Sequence, residues 1–135
     1  MPDIIKAAGA IVQNRKVLVE RSKGKAFFIP PGGKLEPGET PEQAVIRELK
    51  EELQIDVTEA DLEPMGVFTA EAANQPGQEV QIHMYIIKDW KGEIAPDNEV
   101  DELAWITSAI PEDMKVGSIC VHEVIPRLKE KDLID

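Results

Sequence analysis

Gly32-Gly33-Lys34-Leu35-Glu36-Pro37-Gly38-Glu39-Thr40 runs into Pro41-Glu42-Gln43-Ala44-Val45-Ile46-Arg47-Glu48-Leu49-Lys50-Glu51-Glu52-Leu53. The second half reads as a helix with its start written in. Thr40 suits the N-cap, Pro41 the first helical position and Gln43 the reciprocal position of a capping box. Glu42 adds a negative charge where the helix dipole favours one. The helix should end at about Leu53. With about 100° per residue and Glu48 at zero, Glu51 falls near −60° and Glu52 near +40°. Val45, Ile46, Leu49 and Leu53 fall between about 60° and 160° and form the core face. The acidic stripe therefore borders the core instead of opposing it, which predicts partial shielding of its carboxylates.

Like charges three and four residues apart repel, more so when shielded. Arg47 can pair with Glu51 at i,i+4, and a divalent cation would satisfy the rest. All-oxygen ligands suit Mg²⁺ or Mn²⁺. Glu39, just ahead of the N-cap, can fold toward the same ion. The Pro31-Gly32-Gly33-Lys34 loop and the Pro37-Gly38 turn form a structured approach that can bring backbone N–H groups and Lys34 to an anion. The chemistry suggested is metal-assisted attack of water on a phosphoanhydride, with a spare carboxylate accepting the proton. A Glu-rich helix alone is most often a solvated face, and a Gly-Gly loop alone a turn. Their joint spacing is what separates this stretch from both.

Outward from the helix, Ile4 to Val12 and Lys16 to Glu20 read as two strands joined by a tight turn at Asn14-Arg15, and Ala26 to Ile29 as a third short strand stopped by Pro30-Pro31. Beyond the helix, Leu62 to Thr69, Val80 to Lys88 and Glu102 to Ile106 read as strands, and Val121 to Lys131 as a terminal helix. This order predicts one α/β domain over residues 1–135, a mixed β-sheet between helices. The composition, 42% apolar and 30% charged, is globular rather than disordered. With 15 Lys+Arg against 26 Asp+Glu the net charge is −11, which argues against a long nucleic acid or an anionic membrane as partner. The single cysteine, Cys120, excludes an intrachain disulfide and reads as a small buried residue. No apolar run is long enough for a membrane span, and Met1 to Val12, broken by Asp3 and Lys6, lacks a signal-peptide core. The expected location is the cytoplasm.

Taken together, Gly33, Glu39, Arg47, Glu48, Leu49, Glu51, Glu52 and Ile55 resemble the Nudix box: a glycine, five residues, a glutamate, seven residues, then Arg-Glu-apolar-x-Glu-Glu-x-Gly-apolar. The one departure is Gln54, where the family has a helix-ending glycine, so strain is expected at the helix stop. The resemblance implies an α/β/α sandwich and hydrolysis of a nucleoside diphosphate linked to another moiety. It implies Glu48, Glu51 and Glu52 as metal ligands, with Glu39 auxiliary, Arg47 orienting the cluster, and Gly33 letting its backbone approach metal or phosphate. Six acids without a base lie between Ala95 and Asp113, and Glu99 and Glu102 are the candidates for one further acid at the cluster.

Arg21 and Lys34 are candidate phosphate contacts, because a planar guanidinium fork and a flexible ammonium both suit an oxyanion. Phe28 and Tyr85 could stack on a base, although strand aromatics are mostly core. Trp105 and His83 read as structural. The stretch Glu71-Ala72-Ala73-Asn74 holds neither the proline nor the tyrosine that distinguishes some relatives, and the short chain looks most like the MutT-type enzymes. A nucleoside triphosphate, cleaved to monophosphate and pyrophosphate, is the expected small-molecule substrate. ADP-ribose or a nucleotide sugar, and a non-catalytic nucleotide-sensing role, are the alternatives. By analogy with relatives, a homodimer is possible.

Overall fold

β1 (Ile4–Gln13) is the strand on which the sheet is assembled. Its Ala7 and Ile11 pack on one side and its Ala8 and Ala10 on the other, so it is apolar on both faces, as a strand covered on both faces must be. The computed structural model describes residues 2–72 and 74–135. Met1 and Ala73, the latter inside the Glu71–Asn74 stretch read above, lie outside the described residues. Asn14 and Arg15 both take positive φ, 52° and 62°, which matches the twist of a tight hairpin into β2 (Lys16–Ser22).

β1 pairs in parallel with β5 (Glu79–Ile87), from Ile4↔Val80 to Ile11↔Ile87, and β5 pairs antiparallel with β4 (Leu62–Glu71). The other edge of β1 is shared. Its far end pairs with β2 at Val12↔Val17 and Gln13↔Lys16. Its near end pairs with β3 (Gly32–Lys34) at Lys6↔Lys34, Ala7↔Gly33 and Ala8↔Gly32. β2 diverges to pair with β6 (Val100–Ile106). The spatial order is β4-β5-β1-β2-β6, with β3 beside β1, and the sheet is mixed as expected.

α1 (Pro41–Leu53) covers one face, setting Ala44, Val45, Leu49 and Leu53 against Ala7, Ile11 and Leu18. Each fully buried leucine or valine there contributes about 1.5–3 kcal/mol. The capping box forms: the Thr40 hydroxyl accepts from Gln43 N at 3.1 Å and Gln43 Oε1 accepts from Thr40 N at 3.0 Å. A C-terminal helical stretch covers the other face, packing Cys120, Val124, Ile125 and Leu128 against Ala8, Ala10, Met84 and Ile86. The architecture is the expected α/β/α sandwich. Among the described residues no helix is long and apolar enough to cross a membrane.

Two elements differ from expectation. Ala26–Ile29 is not a strand; only single bridges form, Glu20↔Ile29 and Phe28↔Val116. The third strand is instead Gly32–Lys34, read above as loop. A Cβ on Gly32 would lie 2.2 Å from the Ala7 carbonyl oxygen, so this edge of β1 accepts only side-chain-free backbone. The terminal helix carries a π-helical stretch, Cys120–Val124, before α2 (Ile125–Glu130). Pro126 has no N–H to give to the residue four back and its ring crowds that carbonyl. One wider turn, with Ile125 N–H donating to Cys120 O, absorbs the clash.

Candidate functional site

The helical wheel orders the three carboxylates of α1 as the structure does. Glu51, farthest from the core face, keeps 47% of its side chain exposed, whereas Glu48 keeps 15%. Glu52, nearest the core face, turns inward, where its Oε1 accepts from Gly32 N at 3.0 Å. Glu48 lies against Gly33: a Cβ there would be 2.4 Å from the Glu48 carboxyl carbon. The two glycines of β3 therefore form the wall on which two carboxylates rest.

Arg47 gathers the others. Its Nε donates to Glu39 at 2.8 Å and its Nη2 to Glu39 at 3.0 Å, a bidentate pair. Nη1 donates to Glu48 at 2.8 Å and to Glu51 at 3.2 Å, and Nη2 also reaches the Lys34 carbonyl at 3.1 Å. Hydrogen bonds from Arg47, with one from Glu36 N–H, hold the Glu39 carboxyl down at about 2. Burial pushes the Glu48 carboxyl up despite Arg47. Glu39, Arg47, Glu48 and Glu51 thus form one network that remains net negative, with Glu52 just beyond it.

Sequence reasoning missed Glu20. It sits on β2 at 1% exposure, the one charged residue among the buried set, and its Oε1 has no hydrogen-bond partner among the described residues. Burial drives its carboxyl above the ordinary carboxylate range. Glu52 is raised too, by burial first and then by the Glu20 charge facing it. The strand parity could have found it: Leu18 packs under α1, and Glu20 is the next residue on the same face.

The second acidic zone meets α1 through its backbone. Asn98 Nδ2 donates to Glu51 O at 2.7 Å, Asp97 N to Glu52 O at 2.9 Å and Ala95 N to Leu53 O at 3.0 Å, satisfying the orphan carbonyls of the last turn. The two acids named there are not brought to the cluster. Glu102 pairs across strands with Arg21 and accepts from it at 3.2 Å, beside Asp101 at 2.8 Å. Arg21 and Glu102 follow the parity of Val19 and Ala104, which face the α2 side, so the sheet lies between them and the α1 carboxylates. Glu99 is exposed, and its carbonyl accepts from Lys23 N at 2.9 Å.

Arg21 also lies 5.8 Å from the centre of the Phe28 ring, and Phe28 is buried in the α2-side core, as Tyr85 is in the α1-side core. Both rings are already covered by protein. Lys34 is exposed on β3, Trp105 packs at the edge of the α1-side core, and His83 sits within β5 opposite Val67. Cys120 is buried, which pushes its thiol up to about 12.

Among the described residues no three acidic, imidazole or thiol groups converge as a ready-made cation cage. Arg47 draws Glu48 and Glu51 one way, and Gly32 N–H holds Glu52 the other, where it faces Glu20. The donor set nevertheless fits a hard divalent ion. It combines four carboxylates, one of them with an orphaned buried oxygen, and a glycine wall that leaves backbone accessible.

The chain is similar to known proteins in sequence and in fold. A region of Proteus vulgaris 8-oxo-dGTP diphosphatase is 42% identical over 68 residues, covering 50% of this chain and 56% of that protein. The Haemophilus influenzae 8-oxo-dGTP diphosphatase is 35% identical over 96 residues, covering 67% of each chain. The first match therefore spans little more than half of that relative's length. Among solved structures, the Escherichia coli ORF135 protein superposes with a TM-score of 0.72 at 24% identity, covering 98% of this chain and 94% of that one. A MutT NUDIX hydrolase from Burkholderia pseudomallei gives 0.72 at 22%, covering 94% and 95%. Residues 4–117 match the NUDIX domain, a span that runs from β1 through the carboxylate helix and ends just before the C-terminal helical stretch, and the chain belongs to that family.

Proposed function

We propose that this chain is a pyrophosphohydrolase. It cleaves a phosphoanhydride bond in a nucleoside diphosphate linked to a further group, foremost a nucleoside triphosphate, to monophosphate and pyrophosphate. The observation that carries the reading is the orphaned, buried Glu20 oxygen facing Glu52 beside the Gly32–Gly33 wall and Glu48. A group of shielded carboxylates that repel one another is a costly arrangement unless a cation joins it. Glu48, Glu51 and Glu52, with Glu20, would hold Mg²⁺ or Mn²⁺, and Gly33 would offer its backbone. Bound there, the ion supplies neutralisation of phosphate charge and a lowered pKa for a coordinated water.

The chain's own residues do the rest. Arg47, clamped by Glu39, fixes the orientation of Glu48 and Glu51 while leaving Glu51 at the solvent side. Lys34 stands exposed at the end of β3 as a cation. Support also comes from the 8-oxo-dGTP diphosphatases of P. vulgaris and H. influenzae. A second reading is favoured by one relative, an ADP-ribose pyrophosphatase of Methanocaldococcus jannaschii, 32% identical over 97 residues and covered over 56% of its length.

The test is a nucleotide panel with Mg²⁺, products resolved by chromatography, and an EDTA control. Pyrophosphate released from triphosphates, abolished by EDTA, supports the first reading. Ribose 5-phosphate from ADP-ribose selects the second. Binding without turnover of any compound overturns both in favour of a sensing role.

A further inference from the structure

On the α2 side of the sheet a small cleft, open to solvent on one side, runs from Gly32 and Gly33 past Ile29, Pro30, Val80 and Ile82 to Ile119. Its walls are mainly apolar, and Lys6 stands at its floor. Lys6 is on central strand β1, between Ile4 and Ala8 on a face that otherwise carries only apolar side chains. It enters no ion pair among the described residues. Its direct partner on β3 is Lys34, so two like charges face each other across a strand pair, a placement that destabilises a sheet left to itself. Lys34 likewise enters no ion pair among the described residues. Glu20, Glu48 and Glu52 are near enough to act on Lys6, but none forms an ion pair with it among the described residues, and Glu48 and Glu52 are already engaged with Arg47 and Gly32.

A half-buried cation outside any ion pair among the described residues, beside a second cation, at the point where an apolar cleft meets a carboxylate cluster, is a place for an oxyanion. We propose that Lys6 is a positioning residue. Its ammonium, with Lys34, takes the phosphate that joins the nucleoside to the rest of the substrate, and so sets where the anhydride bond sits against Glu48 and Glu52. This rests on the pyrophosphohydrolase reading, and it goes further by assigning the nucleoside-proximal phosphate to a residue outside the glutamate helix and its loop.

The measurement compares dGMP with deoxyguanosine, and AMP with adenosine, by calorimetry in EDTA on the wild type, Lys6→Met and Lys6→Arg. The wild type should prefer each monophosphate over its nucleoside by about tenfold or more, as expected for a charge-assisted contact, and less at high salt. Lys6→Met should bring that ratio to near one without weakening nucleoside binding, and Lys6→Arg should keep most of it. In turnover, Lys6→Met should raise KM and lower kcat, because both binding and placement are lost. Methionine suits a strand buried on both faces, and a thermal melt checks folding; Lys6→Gln replaces it if it fails. An unchanged ratio in Lys6→Met, an equal loss of nucleoside affinity, or a wild type without preference for the monophosphate overturns the assignment. Failure of the nucleotide panel with the ratio intact would sink the hydrolase reading alone.

Discussion

Replacing Gln54 by glycine should stabilise the fold by about 0.5–1 kcal/mol, reckoned as follows. Gln54 ends α1 with φ 61° and ψ 29°, in the left-handed region. A residue with a Cβ is disfavoured there by about 1–2 kcal/mol, which glycine avoids. Against this stands the greater freedom of glycine in the unfolded chain, about 0.4–1 kcal/mol. The Gln54 side chain contributes one exposed hydrogen bond, Nε2 to Ala95 O at 3.4 Å, worth at most a few tenths of a kcal/mol at that length. The backbone bond from Gln54 N to Lys50 O survives the change. A gain of this size moves the melting temperature by about 2–5 °C for a chain of this length. Thermal and urea denaturation followed by circular dichroism would measure it, with Gln54→Ala as the control that removes the side-chain bond but keeps the strain. If Gln54→Gly is no more stable than Gln54→Ala, the helix stop is not strained and the argument fails. Turnover should be the same in both, because Gln54 reaches no carboxylate of the cluster.

Glu52→Gln should lower turnover by at least about a hundredfold with the fold retained, and Glu51→Gln by a comparable factor, through loss of cation-holding charge; near-normal rates in both would remove the mechanism. Glu99→Gln and Glu102→Gln should each leave turnover within about twofold, since Glu102 is tied to Arg21 across the sheet and Glu99 is exposed; a large loss in one would place that acid at the cluster. Gly33→Ala should cut activity more than stability, because its Cβ would displace the Glu48 carboxyl; equal loss of both in melts and assays would contradict this. Metal-free protein should lose stability as pH rises. Burial raises Glu20 and Glu52, so the folded form holds protons that the unfolded form releases, and their stabilisation is full below about pH 4.3 and lost from there through neutrality. Glu20→Gln should flatten that slope in urea titrations across pH, and an unchanged slope would refute the assignment.

What the sequence made legible was local. The helix from Pro41 to Leu53 carries its own start signals, and its wheel correctly ranks Glu52, Glu48 and Glu51 from inside to outside. β1, β2 and β5 are apolar enough to be seen, and the strain at Gln54 follows from one residue. The rest depends on where the chain goes afterwards. Gly32–Lys34 becomes a strand only because β2 leaves the edge of β1 free, which no local pattern in a Gly-Gly loop reveals. Ala26–Ile29 has the composition of a strand but is left with single bridges. Glu20 looked like the polar end of a strand, and its burial needs α1, β3 and Ile29 all in place. Lys6 looked like an interruption of an apolar run.

The fork in the sheet connects these residues. β1 gives one stretch of its edge to β2 and the other to β3, and Glu20 hangs from β2 where the two part, its backbone bound to Ile29. β3 at this point is two glycines, so the wall between the α2-side cleft and the α1-side carboxylates is one backbone thick. The same thinness explains why these positions tolerate no Cβ: at Gly32 it would strike the β1 backbone, and at Gly33 the Glu48 carboxyl. The glycines are therefore demanded from both sides, by the strand they pair with and by the acid they support. Arg47 completes the logic, because a wall that thin leaves Glu48 and Glu51 little protein to lean on. A guanidinium anchored through Glu39 holds them in place until a cation competes for their oxygens.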